Sequence, residues 1–415
     1  MPLQQYEQSH YLLNALSAYC NTDMLNELLV DQNYGKVKSK TDGLANFIIG
    51  LNAETTVERQ QIAIKKFNES FLLQYKEKCN HLVGLSYLDL TNSTLNSSLD
   101  IFTHSKDVEN IQDLNVNNFF NFIPNDRFQI VYRKFTLNEE NDRVDQLDIM
   151  FGRRFASRDI ADADNLRVDF TWVNLNLKTR KAIFRFHSMA NNLYEPSKPV
   201  APMISFKIIS AYLLHEYNIT FHNEDNSKQI FELYKKLTAT NEQTYVKLVM
   251  DAETENKTSL VDTFYLNMLE RLGLESKKDR IYVRDRIFNT FVRLLIINDF
   301  DNFKNHVSNM PGSVVSFNYH DLDGSTINGK NGGGMYTIGT ARPPMESSTT
   351  YFDTKDTIFH AESLQELDVS WRKYNLIHST RYTAFPNLLT IHFIMKSVRE
   401  EVLQSVLQDF ENLTR

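Results

Sequence analysis

The chain has 415 residues, 42% of them hydrophobic and 12% aromatic, with 28 Phe and 19 Tyr, which excludes an intrinsically disordered protein. A formal net charge of -7 excludes a surface that is basic throughout, so any contact with a polyanion must be local. Cys20 and Cys79, the only two cysteines, supply neither a disulfide framework nor a zinc ligand set, and a reducing compartment is expected.

The length exceeds what one hydrophobic core usually serves, so two or three domains are expected. Residues 1–8 lack the basic start and apolar core of a signal peptide, and no apolar run reaches the ~18 residues of a membrane helix, so the expectation is a cytoplasmic protein without membrane contact. No period of 20 to 50 residues repeats along the chain, which excludes solenoids and propellers.

Residues 1–79 read as a helical N-terminal domain. Tyr11, Leu12, Ala15, Leu16 and Tyr19 recur at helical spacing, and Asn21 or Thr22 can cap a second helix carrying Met24, Leu25, Leu28 and Leu29. A third helix runs through Leu44, Phe47, Ile48 and Leu51, and a fourth through Val57, Ile62, Ile64, Phe67 and Phe71.

Residues 80–195 read as an antiparallel β-rich domain, because the period shifts towards two and β-branched and aromatic residues accumulate. Phe128, Ile130 and Tyr132 alternate with polar or smaller neighbours, and Asn138 to Asp142 supplies a turn. A hairpin follows, with strands over Val168–Leu177 and Ala182–Phe186 and the tip Lys178-Thr179-Arg180-Lys181. The segments 113–118 and 159–164 read as surface connections.

Pro196, Pro199 and Pro202 make a stiff linker, and residues 203–415 read as a mixed α+β C-terminal domain. Its helices are expected over Ile204–Leu214, Gln229–Leu237, Leu260–Leu272 ended by Gly273, Tyr282–Ile297 and Val398–Leu413. Strands are expected at Val314–Phe317, at Tyr336–Ile338 and over Leu388–Phe393. The fold class is therefore α+β: a helical N-terminal unit, an antiparallel β-sheet middle region and a mixed C-terminal region.

The most informative local pattern lies between residues 22 and 50. Met24-Leu25-Asn26-Glu27-Leu28-Leu29 leads through Tyr34-Gly35-Lys36-Val37-Lys38-Ser39-Lys40 into Leu44-Ala45-Asn46-Phe47-Ile48. This stretch resembles a SAP-type helix-extended-loop-helix module. It departs from that pattern at Tyr34, where a Gly-Leu pair is usual, in the extra length given by Val37, and in the acidic Asp42. The resemblance implies phosphate contacts at Lys36, Lys38, Ser39 and Lys40, with DNA favoured over RNA. The physical ground is independent of it: lysines release condensed counterions, amides at a helix N-terminus accept anions, and alternate lysines on an extended loop project the same way while Val37 packs inward. The competing reading is a helical-bundle turn with solvated lysines.

A second candidate is the hairpin tip, Lys178, Arg180 and Lys181, with Trp172, Arg185 and His187 nearby, suited to backbone contact or base stacking, or else a soluble turn. Gly152-Arg153-Arg154 and the helical Arg280, Arg284, Arg286 and Arg293 invite the same pair of readings.

No catalytic, cofactor or metal site is expected. Asp169 and Lys178 fall on one strand, but Asn174 or Asn176 stands where a nuclease needs its second carboxylate. Arg372 and His378 have the spacing of HEPN ribonucleases, the one enzymatic alternative. Gly329 to Gly334 lacks the Lys-Ser/Thr of a phosphate loop, and Asp321, Asp323 and Gly324 lack the closing glutamate of a calcium loop. The functional expectation is a non-enzymatic nucleic-acid-binding or scaffold protein, as a subunit of a larger complex such as one of phage defence, or else a pure protein-interaction subunit.

Overall fold

The computed structural model describes residues 13, 16–17, 19–120, 122, 125, 127–157, 167–186, 193–195, 198–199, 202–254, 260–273, 277–308, 310–320, 326–330, 354–355, 357–359, 361–394 and 398–414. The class is α+β, and the chain divides into two compact units: Met1–Glu224 with Asn387–Thr390 and Lys396–Glu400, and Asp225–Pro386 with Ile391–Met395 and Glu401–Arg415. Among the described residues no helix is long and apolar enough to cross a membrane.

The first unit begins with α1 (Thr22–Asp31), α2 (Lys40–Ala53) and α3 (Val57–Cys79). Each starts at a side-chain cap, from Asn21, Ser39 and Thr56 respectively, which satisfies an amide that the first helical turn leaves without a partner. Antiparallel strands follow: β1 (Leu82–Asp89), β2 (Val116–Asn117), β3 (Gln129–Leu137), β4 (Val144–Ser157), β5 (Arg167–Asn176) and β6 (Lys181–Phe186), in the order β1-β6-β5-β4-β3-β2. A short helix, α4 (Leu99–Ser105), lies between β1 and β2. The segment 113–118, expected as a connection, instead contributes β2, an edge strand pairing Val116 with Arg133. The expected alternation along β3 also slips, because the register shifts between Ile130 and Tyr132 and leaves Val131 in the core.

This sheet is covered on both faces. Val131, Met150, Val168, Phe170 and Trp172 join the apolar residues of α1 to α3 in one cluster. On the other face Phe184 meets Phe206 and Phe151 meets Tyr212, both edge to face, from α5 (Pro202–Tyr217). Short strands β7 (Leu193–Glu195), β8 (Lys198–Pro199) and β9 (Thr220–Phe221) complete the unit. The expected acidic connection 159–164, together with Pro196 and His187, lies outside the described residues.

The second unit comprises α6 (Asn226–Thr254), α7 (Leu260–Leu272), α8 (Lys277–Asn298), α9 (Phe300–Ser308), β10 (Gly312–His320), β11 (Thr326–Lys330), β12 (Glu366–Lys373) and β13 (Leu376–Phe385). Strand β14 (Leu388–Phe393) and helix α10 (Glu400–Thr414) divide their residues between the units. The strand order is β11-β10-β12-β13, with every pair antiparallel. Tyr234 of α6 packs edge-on against Phe317 of β10, and Phe410 of α10 stacks on Tyr382 of β13. Tyr245, Val249, Val292, Ile296, Phe303 and Val307 close a separate cluster among α6, α8 and α9. Gly273 ends α7 with φ of 68°, a conformation that costs glycine nothing. The expected strand at Tyr336–Ile338, the possible calcium residues Asp321, Asp323 and Gly324, and Gly332 to Gly334 lie outside the described residues.

The loop between α1 and α2 is held by one close approach. The Tyr34 ring lies over Gly50 of α2, and its hydroxyl donates to Glu54 Oε1 at 2.6 Å. A Cβ at Gly50 would fall 2.3 Å from Tyr34 ring carbons. Gly50→Ala should therefore destabilise the protein by about 1–3 kcal/mol in urea unfolding, against the gain of up to ~1 kcal/mol that alanine brings to an open helical site. A stabilised variant would mean that the ring does not rest there.

Candidate nucleic-acid interface

After α1 the backbone turns left-handed at Asn33 (φ 59°) and again at Gly35 (φ 83°), releasing an extended segment. Asn26 of α1 then acts as a substitute strand partner: its Oδ1 accepts from the Val37 amide at 2.8 Å, and its Nδ2 donates to the Val37 carbonyl at 3.1 Å. Val37 is half-buried against the core, while Lys36 and Lys38 on either side are exposed. Ser39 ends the segment, its Oγ accepting from the Asp42 amide at 3.1 Å and donating to Asp42 Oδ2 at 2.6 Å.

That cap changes two expectations. It starts the helix at Lys40, so the alternation that carries Lys36 and Lys38 outwards stops there, and Lys40 is half-buried in the first turn of α2. It also places the Asp42 carboxylate at the helix N-terminus, where it would oppose an incoming phosphate, so the helix amides are not offered to an anion. Ser39 is consequently a structural cap.

The charge of Lys40 is felt instead at Lys78, near the end of α3. Burial pushes the Lys78 ammonium below its ordinary pKa, and the charge of Lys40 pushes it further. The Lys78 Nζ donates to the Cys20 carbonyl at 3.4 Å. Burial raises the Cys20 thiol to about 12, opposed by Lys78 and Lys40, so Cys20 is an inert core residue. Lys78 feels the charge of Lys40 from another helix, and only its place in the last turn of an amphipathic pattern could have hinted at it.

The hairpin tip is a separate feature. Lys178 and Arg180 are exposed, Lys181 is half-buried as the first residue of β6, and the Arg180 carbonyl accepts from the Leu88 amide at 2.8 Å. Tyr19, next to Cys20, reaches the Val168 carbonyl at the start of β5 with its hydroxyl, whereas the tip follows the end of β5, roughly 30 Å along the strand. Trp172 cannot stack on a base, because it is buried and its Nε1 donates to Asp148 Oδ1 at 3.1 Å. Arg185 is buried as well, donating to Asn80 Oδ1 at 3.0 Å and Glu400 Oε1 at 2.8 Å.

The other basic candidates fall in mixed surroundings. Arg153 is buried over the Phe128 ring and pairs with Asp169, and Arg154 is half-buried. In α8, Arg286 is exposed while Arg284 and Arg293 are half-buried; the Arg280 side chain lies outside the described residues. Arg372 and His378 sit on a β-hairpin, not at helix ends: Arg372 is opposite Ile377 and His378 opposite Trp371, so they project to opposite faces, with His378 buried. That placement departs from the helix-end position which the resemblance to HEPN ribonucleases implies. Among the described residues no group of three or more His, Cys, Asp or Glu is placed to hold a metal ion.

No family model, curated protein or solved structure matches the chain.

Asp169 offers a test of this interior. Burial raises its carboxyl to about 7, outweighing the attraction of Arg153, whose Nε lies 3.9 Å from Oδ2. Between about pH 4, the ordinary carboxylate range, and about 7 the native protein holds a proton that the unfolded chain has lost. The contribution of this group is therefore full below about pH 4 and is lost as pH rises through about 7. In urea unfolding Asp169→Asn should gain stability relative to the unmodified protein across that window. A difference that stays constant with pH would contradict the assignment.

Proposed function

We propose that the protein binds the phosphate backbone of nucleic acid, duplex DNA ahead of RNA, through Lys36, Lys38 and Lys40 of its first unit, joined by Lys78. The reading is of a non-enzymatic cytoplasmic subunit of a larger assembly, of the kind used in phage defence. The observation that carries it is the display of exposed Lys36 and Lys38 on either side of Val37, whose backbone is clamped by Asn26; the charge of Lys40 is also felt at half-buried Lys78, so an anion there would relieve it. Exposed Lys36 and Lys38 extend the same positive patch along a loop fixed by Asn26 and Tyr34. On a chain of net charge -7, such a patch gives binding that is local and salt-sensitive.

Lys178, Arg180 and Lys181 make a second phosphate contact in this reading. Sequence preference is slight, because phosphate contacts position a protein without reading bases. Native mass measurement of the protein isolated from its host tests the assembly: a monomer there removes that part of the proposal.

Each neutralised phosphate adds about 0.9 to the slope of log affinity against log salt for duplex DNA, so three lysines contribute a slope of about -3. Lys36→Ala, Lys38→Ala and Lys40→Ala together should flatten the measured slope by about that amount, equally for unrelated sequences. Thermal stability should hold or rise slightly, since Lys40→Ala removes a charge that opposes Lys78. If the unmodified protein shows no salt-sensitive binding to DNA or RNA at low ionic strength, the loop is an ordinary turn and a pure protein-interaction role replaces this one.

A further inference from the structure

The second half of α8 is apolar on nearly every side: from Ile287 to Ile297 only Asn289, Thr290 and Arg293 are polar. A helix that is apolar all round is one that is covered all round. Three parts of its surface are taken. Val292 and Ile296 are buried in the cluster that α8 shares with α6 and α9. Phe288 and Asn289 line a cavity of about 720 Å³ between α8, α6 and the segment carrying Lys355, whose wall also holds the buried ion pair of Lys355 with Glu242. Val283 and Ile287 pack on Leu269 of α7.

Phe291, Leu294 and Ile297 remain 48%, 48% and 47% exposed. Set three residues apart, they form a ridge along one side of the helix. Apolar residues scattered singly on a surface need no explanation, whereas a ridge of three neighbours is a surface on which another helix packs.

The charges at the two ends of the ridge decide which helix that is. Exposed Arg286 stands about two turns before Leu294, and exposed Asp299 and Asp301 stand one to two turns beyond it. A uniformly acidic or basic partner would match one end and be repelled at the other. A second α8 running antiparallel, with the two Leu294 side chains at a twofold axis, matches both. It lays Phe291 of each copy against Ile297 of the other and sets each Arg286 beside the acidic end of its counterpart. A parallel pair would put arginine on arginine and aspartate on aspartate, and would also align the two helix dipoles unfavourably. An apolar centre with complementary charge at its rim, meeting an identical copy of itself, is what a twofold interface requires.

We propose that two copies of the chain pair through this ridge, α8 against α8 and antiparallel. Three half-exposed side chains make a small apolar centre, so the pair forms and dissociates in the micromolar range. The pairing rests on the second unit alone and neither requires nor supplies nucleic-acid binding.

The test is sedimentation equilibrium of the full chain from about 1 to about 200 μM at about 0.15 M salt. The mass should rise from monomer to dimer across that range. Leu294→Glu should weaken the pairing roughly tenfold or more, with thermal unfolding unchanged because the side chain stands half in water. The charges give a second test that does not depend on the apolar centre. Arg286→Glu and Asp301→Lys should each weaken self-pairing, because each variant sets like charges together at both ends. An equal mixture of the two should pair more tightly than either by itself, since opposite charges then meet at both ends. A chain that stays monomeric at about 200 μM overturns the proposal and leaves the ridge to a different protein. It is equally overturned by a dimer that Leu294→Glu leaves intact, or by a mixture that pairs no more tightly than its components.

Discussion

The guanidinium of Arg185 is buried on β6, donating to Asn80 Oδ1 at 3.0 Å and to Glu400 Oε1 at 2.8 Å, with the Trp172 ring centre 5.3 Å away. Asn80 is the C-cap of α3, and its amide donates to Glu400 Oε2 and to the Val398 carbonyl. A charge taken out of water is tolerable only with its partners in place, so β6, the end of α3 and the segment around Glu400 have to be formed together. Residues far apart in sequence thereby fix where α3 ends. The same helix donates from the Tyr75 hydroxyl to the Phe170 carbonyl and carries Lys78 two residues before Asn80. The position of Lys78 near the end of α3 is thus tied to a buried charge on β6.

Around that fixed helix the loop carrying Lys36 and Lys38 is held at three points, by Asn26, by the Tyr34 ring on Gly50 and by the Ser39 cap. Ordering a loop costs backbone entropy, and here the apolar contacts of Val37 and Tyr34 offset that cost before any ligand arrives. Lysines displayed in this way lose little further freedom on meeting phosphate. The Asp42 carboxylate, which accepts from the Ser39 cap in the first turn of α2, works in the opposite sense, because it would repel an incoming anion.

How far the sequence revealed this follows from the range of each signal. Helix 260–272 and strand 388–393 have the bounds that apolar period and Gly273 indicate, because both are local properties. The helix read as Gln229–Leu237 continues to Thr254 in the structure. Thr238, Thr240, Asn241 and Thr244 are poor helix formers, and the burial of Tyr245 and Val249 against α8 and α9 overrides them. The hairpin of β12 and β13 was visible only as the spacing of Arg372 and His378, because its polar residues mask the period of two. In the candidate interface Lys36 and Lys38 were legible as a basic loop between two helices. Lys78 was not, since the charge of Lys40 acts on it only in the tertiary structure, and the burial of Trp172 was hidden because a strand pattern does not say whether both faces of its sheet are covered.

The same limit explains why the cavity in the second unit left no trace in the sequence. Glu242 and Lys355 are separated by 113 positions, and each by itself reads as a surface charge. Together they differ from the lysine loop in one decisive respect, the arrangement of sign. The loop gathers like charges at an exposed surface, so the binding proposed for it would draw on released counterions and fade with salt. The cavity wall instead carries a buried pair of opposite charges, whose attraction salt screens little.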